Sequence, residues 1–349
     1  MKLLKETLDK ITPLNEQIME QSRNRIDHLV KPVGSLGKLE NLAVQVSGIT
    51  GEIFPDLSNK AIIVMAADHG VCEEGIAAAP QIVTQIQTYN IAKGVSGLGP
   101  LAKKSGADLV VVDVGVMSDL NEPTIINRKI RYGTGNMVKE IAMTYDEAVK
   151  AIETGIEITA SEIQKGRKMI ATGEMGIGNT TPSTALLSIL SGLDPQEITG
   201  VGANLPEEKL PHKINVIKQA LAHHQPDGKD PIQMLSMVGG LEIAGMTGTI
   251  LACAAHKIPC VIDGYISTIA ALLACKLHPE VKSYLIPSHY SIEKGAQTAS
   301  QLLGLKPMLD MDMRLGEGSG AAIAFHIVES AVAMNRDMVT FEESGIDIV

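Results

Sequence analysis

An α/β fold with a mostly parallel sheet flanked by helices is predicted from three features of the chain. Short continuous apolar runs recur along it, helical stretches separate them, and each run stops at glycine or a polar side chain. Strands buried on both faces read as unbroken apolar runs, and parallel pairing needs a crossover between them. Ligands of such sheets bind outside the carboxyl ends of the strands, so the polar residues that end each run are candidates for one shared rim.

Residues 1–30 read as polar amphipathic helices broken near Pro13. The turn-rich link Lys31-Pro32-Val33-Gly34-Ser35-Leu36-Gly37-Lys38-Leu39-Glu40 then leads into another helix that ends near Gly48. From residue 60 the pattern changes. The run 61–67 ends in Asp68-His69-Gly70, 109–112 ends at Asp113, and 169–171 runs into a loop containing Glu174. Two more runs, 260–262 and 284–286, end at Asp263-Gly264 and at Pro287-Ser288-His289. Helices are expected over 183–190, 235–255, 268–277 and 291–303, the last opened by Ser291. The alternation predicts βα units and a common rim of Asp68, His69, Asp113, Glu174, Asn179, Asp263, Ser288, His289 and Glu317. An Ala-rich helix over 318–334 and a short acidic tail close the chain. The expected division is a small helical domain formed by 1–55 and 319–349 packed together, and an α/β core over 56–318.

The 349 residues are 45% hydrophobic and 20% charged, ordinary for a globular protein. Aromatics are only 3%, with no Trp and 16 Met, so Ala, Val, Ile, Leu and Met must build the core. A net charge of −10 argues against nucleic acid or an anionic membrane as partner. Cys72, Cys253, Cys260 and Cys275 lack CxxC spacing and read as buried thiols of a reducing compartment. The N-terminus has no signal-peptide pattern and no apolar run approaches the ~18 residues of a membrane span. A cytoplasmic protein is expected.

Two loops carry the chemistry. Gly316, Gly318 and Gly320 alternate with Glu317 and Ser319 just before the Ala-rich helix. Such clustering leaves backbone uncovered for a ligand, at an entropic cost that needs a reason. Residues 173–181 use the same devices: three glycines, Glu174, Asn179, Thr180 and Thr181 before a helix. The order GxxGxG is not the dinucleotide fingerprint, and no GxxxxGK[ST] phosphate loop occurs. A helix N-terminus with Thr hydroxyls still suits a single phosphate, and a plain N-cap is the alternative. Lys213, following the loop 200–206, is a cation for that phosphate or a solvated surface lysine. Ser291 is an N-cap, a phosphate ligand, or both. Asp68-His69 and His289 lack metal-ligand spacing, so no metal and no cofactor is expected. Together these features describe carboxylates facing a monophosphate cradle, which suits a general base acting on a nucleotide-like substrate.

At these residues the chain resembles the nicotinate-nucleotide–dimethylbenzimidazole phosphoribosyltransferase (CobT) family. The likeness rests on 31–37, Ala67-Asp68-His69-Gly70-Val71, 173–182, 200–206, Val238-Gly239-Gly240, Asp263-Gly264-Tyr265, Ile286-Pro287-Ser288-His289 and 313–321, in order along nearly the whole chain. It implies a Rossmann-like sheet with a small helical domain, and a homodimer without metal. The implied reaction moves the phosphoribosyl group of nicotinate mononucleotide to a benzimidazole base, with inversion at C1 of the ribose. Glu317 matches the family's general base, and Glu174 an acidic residue that supports it. Gly176, Asn179, Thr180, Lys213 and Ser291 match positions around the 5′-phosphate, while Gln87 matches one near the base pocket. Ala79, where a small polar residue often stands, and Met175 make that pocket roomier and more apolar; Leu315 belongs to the same pocket. The same reaction on phenolic or purine bases, or a nucleotide-binding subunit serving an unlike partner chain, are the alternatives.

Overall fold

The computed structural model describes residues 1–345. Six strands form one sheet: β1 (Lys60–Ala67), β2 (Ala107–Gly115), β3 (Ile125–Asn127), β4 (Met169–Met175), β5 (Cys260–Ile262) and β6 (Leu285–Pro287). Their order is β3-β2-β1-β4-β5-β6 and every pairing is parallel. This is the doubly wound order in which the chain reverses direction across the sheet between β1 and β4, opening a crevice above their carboxyl ends.

The apolar runs explain themselves by burial. Along β1, Ala61, Ile63, Met65 and Ala67 enter the core on one face, and Ile62, Val64 and Ala66 enter the core on the other. A strand sandwiched this way gains on both faces, so no polar alternation survives. The first core also holds Leu241–Ala255 and Tyr145–Gln164, which pack against each other. The second holds Lys38–Thr50 and Ser319–Asp337.

The terminal segments divide between these layers. Ser319–Asp337 packs on Lys38–Thr50, Glu16–Asp27 and Leu98–Ser105, whereas Lys2–Leu8 lies across the sheet against Tyr145–Gln164 and Leu241–Ala255. The acidic tail is described as far as Gly345, and residues 346–349 lie outside the described residues.

Two local expectations change, and one strand was not anticipated. β3 has only three residues, too few to leave a signal. The helix expected over 235–255 is two helices, Pro231–Val238 and Leu241–Ala255, because the chain extends at Gly239 and Gly240. Ser291 does not open a helix: the helix is Ala296–Leu303, and the Ser291 hydroxyl accepts from the Glu293 N–H at 3.3 Å within the preceding loop.

Candidate active site

Above the ends of β1, β4 and β5 lies a cavity of about 280 Å³. Of the expected rim, Glu174, Asn179, Asp263, His289 and Glu317 line it. The other four do not. Asp113 is fully buried in an ion pair with Lys129 Nζ at 2.7 Å. Asp68 accepts from the Met117 N–H, His69 faces Glu242 at 3.0 Å beneath the cavity floor, and Ser288 is buried behind His289.

One wall is the loop before Ser319–Asp337. Gly316, Glu317 and Gly318 stand in succession at positive φ, of 85°, 63° and 103°. Glycine adopts this region freely, but for a glutamate it costs about 1–3 kcal/mol. The strain turns the side chain into the cavity, where Oε1 accepts from Gln87 Nε2 at 2.7 Å and Oε2 from the Leu98 N–H at 3.0 Å. Asp263 fixes the other side of the loop, accepting from the N–H groups of Gly318, Gly320 and Ala321 at 3.0, 2.8 and 3.1 Å. A Cβ on Gly320 would sit 1.9 Å from His289 Nδ1, so only glycine allows this approach. Burial pushes the Asp263 carboxyl up, against the pull of His289 and of those N–H groups.

The opposite wall is the exit of β4. Glu174 Oε1 accepts from the Glu317 N–H at 3.3 Å, and its Oε2 accepts from Asn179 Nδ2. Burial, then the Glu242 and Asp263 carboxylates, push Glu174 up to about 8, overcoming both hydrogen bonds. Because the Asn179 amide is drawn to Glu174, the helix Thr180–Ser191 starts without a side-chain cap. Beside that start Lys213 Nζ donates to Thr180 Oγ1 at 2.8 Å and to the Gly200 carbonyl at 3.1 Å. Lys213 is therefore no surface lysine. It is 1% exposed, and burial lowers it to about 8 although Glu293 pulls the other way.

Gly176 and Ser291 also face the cavity, as do Ala79, Met175 and Leu315. All eleven residues that the family resemblance assigns to the site thus line one space. Sequence reasoning passed over three others. Leu98 contributes only its N–H, which no side-chain pattern reveals. Glu293 lines the cavity and accepts from the Gly202 N–H at 3.2 Å. Arg314 spans from the Gly202 carbonyl to Asn204 Oδ1, at 3.2 and 2.8 Å.

A nucleotide-sized cavity at the switch point of a doubly wound sheet, with a buried cation and an uncapped helix start at one end and a carboxylate at the other, defines a group-transfer enzyme of the phosphoribosyl class. Residues 11–346 match the family model described as phosphoribosyltransferase. The nicotinate-nucleotide–dimethylbenzimidazole phosphoribosyltransferase of Alkaliphilus metalliredigens is 55% identical over 100% of both chains. That of Ruminiclostridium cellulolyticum is 49% identical, covering 98% of this chain and 97% of its own. The crystal structure of CobT from Thermus thermophilus superposes with a TM-score of 0.92 at 37% identity, over 95% of this chain and 100% of that one. The chain belongs to the nicotinate-nucleotide–dimethylbenzimidazole phosphoribosyltransferase family.

Proposed function

We propose that this protein transfers the 5-phosphoribosyl group of nicotinate mononucleotide to 5,6-dimethylbenzimidazole, yielding nicotinate and α-ribazole 5′-phosphate for the lower ligand of a cobamide. The observation that carries the reading is the orientation of Glu317 across the cavity from Lys213 and Thr180. Lys213 and the start of Thr180–Ser191 receive the 5′-phosphate, with Gly176, Asn179 and Ser291 around it. Ala79, Gln87, Met175 and Leu315 surround the incoming base.

Its ring nitrogen forms a bond to C1 as the bond from C1 to the pyridinium nitrogen breaks. The electron pair returns to the pyridine ring, cancelling its positive charge, so the leaving group needs no strong acid. The ring N–H proton passes to Glu317, whose two hydrogen bonds hold it oriented before substrate arrives. Glu174 acts through Glu317: by accepting the Glu317 N–H it keeps the strained turn in place. Positive charge developing on the ribose meets the wall that carries Glu317.

The domain division into 1–55, 56–318 and 319–349 belongs to the same proposal, as do a homodimeric form and a cytoplasmic location. Four free cysteines suit a reducing compartment, and no helix of the described residues is long and apolar enough to cross a membrane. The apolar lining at Ala79 and Met175 also favours a second reading, in which phenols or purines serve as acceptors. The test is to incubate the purified chain with nicotinate mononucleotide and an equimolar mixture of dimethylbenzimidazole, adenine and phenol, followed by mass spectrometry. A benzimidazole ribotide formed in step with nicotinate is expected. A phenolic or purine ribotide would transfer the specificity to the second reading, and no ribotide at all would overturn both.

A further inference from the structure

Nicotinate mononucleotide carries two separate anionic groups, its phosphate and the carboxylate of its pyridine ring. The cavity offers little to the second, because Glu293 and Glu317 line it and few of its side chains are cationic. Among the lining residues, one lysine and one arginine supply positive charge, Lys213 and Arg314. They flank the same residue from different directions. A Cβ on Gly202 would lie 3.3 Å from Lys213 Nζ, while the Gly202 carbonyl accepts from Arg314 Nη1 at 3.2 Å.

Their surroundings differ. Lys213 is sealed inside beside Thr180, at the phosphate end. Arg314 is exposed at the mouth, and its hydrogen bonds go only to neutral acceptors, the Gly202 carbonyl and Asn204 Oδ1. Two of its five N–H donors are used, its charge is unpaired among the described residues, and the straps hold the guanidinium in place. It also stands three residues before Glu317, on the segment that must lie near C1 of the ribose.

We propose that Arg314 recognises the carboxylate of the departing nicotinate ring and so selects nicotinate mononucleotide over nicotinamide mononucleotide. The inference rests on the transferase reading above and adds the residue that reads the leaving group. Physically, a planar donor fork pre-set by neutral straps meets a carboxylate with little reorganisation. Nicotinamide presents a neutral amide that gains far less from the same charge.

The test compares kcat/KM on the two mononucleotides, which differ only in that carboxylate, for wild type, Arg314→Gln and Asn204→Ala. Losing a hydrogen bond to a charged group should lower turnover of nicotinate mononucleotide about 10–100-fold in Arg314→Gln. Turnover of nicotinamide mononucleotide should change less than about threefold, so the preference collapses. Asn204→Ala removes one strap and keeps the charge, and it should change both substrates by the same small factor. Equal losses on both substrates in Arg314→Gln would assign Arg314 to the phosphate or the loop and overturn the proposal. So would unchanged kinetics, or a selective loss in Asn204→Ala. Calorimetric titration with free nicotinate and free nicotinamide separates this inference from the transferase reading. If wild type forms no ribotide yet binds nicotinate more tightly through Arg314, the function falls and the recognition stands. If the preference for nicotinate is the same in Arg314→Gln, the recognition falls.

Discussion

The two glycine–glutamate loops look alike in sequence and do opposite work. In the loop after β4, Glu174 turns inward: one oxygen holds the Glu317 N–H and the other holds Asn179, while burial raises it to about 8. In the loop before Ser319–Asp337, Glu317 stands at positive φ and turns its carboxylate across the cavity, held by Gln87 and the Leu98 N–H. Composition is shared; backbone conformation separates a brace from a base. Both carboxylates place each oxygen in a hydrogen bond, but Glu174 braces the Glu317 backbone, whereas Glu317, turned by its positive φ, is held by Gln87 and Leu98 from the cavity wall.

The sharpest break of this comparison is Glu317→Gln. It keeps the shape and removes the base, and kcat should fall on the order of 10²–10⁴-fold with nicotinate mononucleotide binding retained in calorimetry. A near-wild-type rate would place the base elsewhere. Next comes Lys213→Met, beside the first loop, which should raise KM for nicotinate mononucleotide about 10–100-fold with a smaller change in kcat. Because burial holds Lys213 down at about 8, its charge in the free enzyme fades as pH rises through that value. KM in the wild type should climb there and stay flat in Lys213→Met, as steady-state kinetics across pH would show.

Glu174 responds to pH through stability. Its folded value of about 8 lies above the ordinary 4.5, so the native state binds the proton more tightly than the unfolded chain does. That contribution is fully present below about 4.5 and is lost as pH rises toward about 8. Melting curves should therefore show wild type losing stability across this window relative to Glu174→Gln, and a constant difference above it. A difference independent of pH would mean that Glu174 is ionised throughout. The smallest effect is on the stability of Glu317→Gly: relief of the left-handed strain is offset by loss of the bonds to Gln87 and the Leu98 N–H, so denaturant melts should move by less than about 1 kcal/mol.

Much of this was legible beforehand. Five of the six strands announce themselves because burial on both faces makes an unbroken apolar run, as β1 shows residue by residue. The sixth, β3, pairs over three residues against β2, and its existence depends on a neighbour rather than on its own composition. The break at Gly239-Gly240 was hidden inside an apolar stretch that suits a helix throughout. Ser291 was misleading because a hydroxyl that accepts the N–H two residues on makes a local turn as readily as a helix cap.

By itself the sequence determined the α/β class, the parallel sheet and the two loops that hold the site, since strand burial and glycine placement act over a few residues. Only the tertiary structure decided the roles. Lys213 became a buried cation because the Gly200 carbonyl and Thr180 hydroxyl close over it. Glu317 became the aimed carboxylate because Gln87 and Leu98, 230 and 219 residues away, supply its donors. Hydrogen bonds between such distant segments depend on the path of the whole chain, and no local pattern encodes that path.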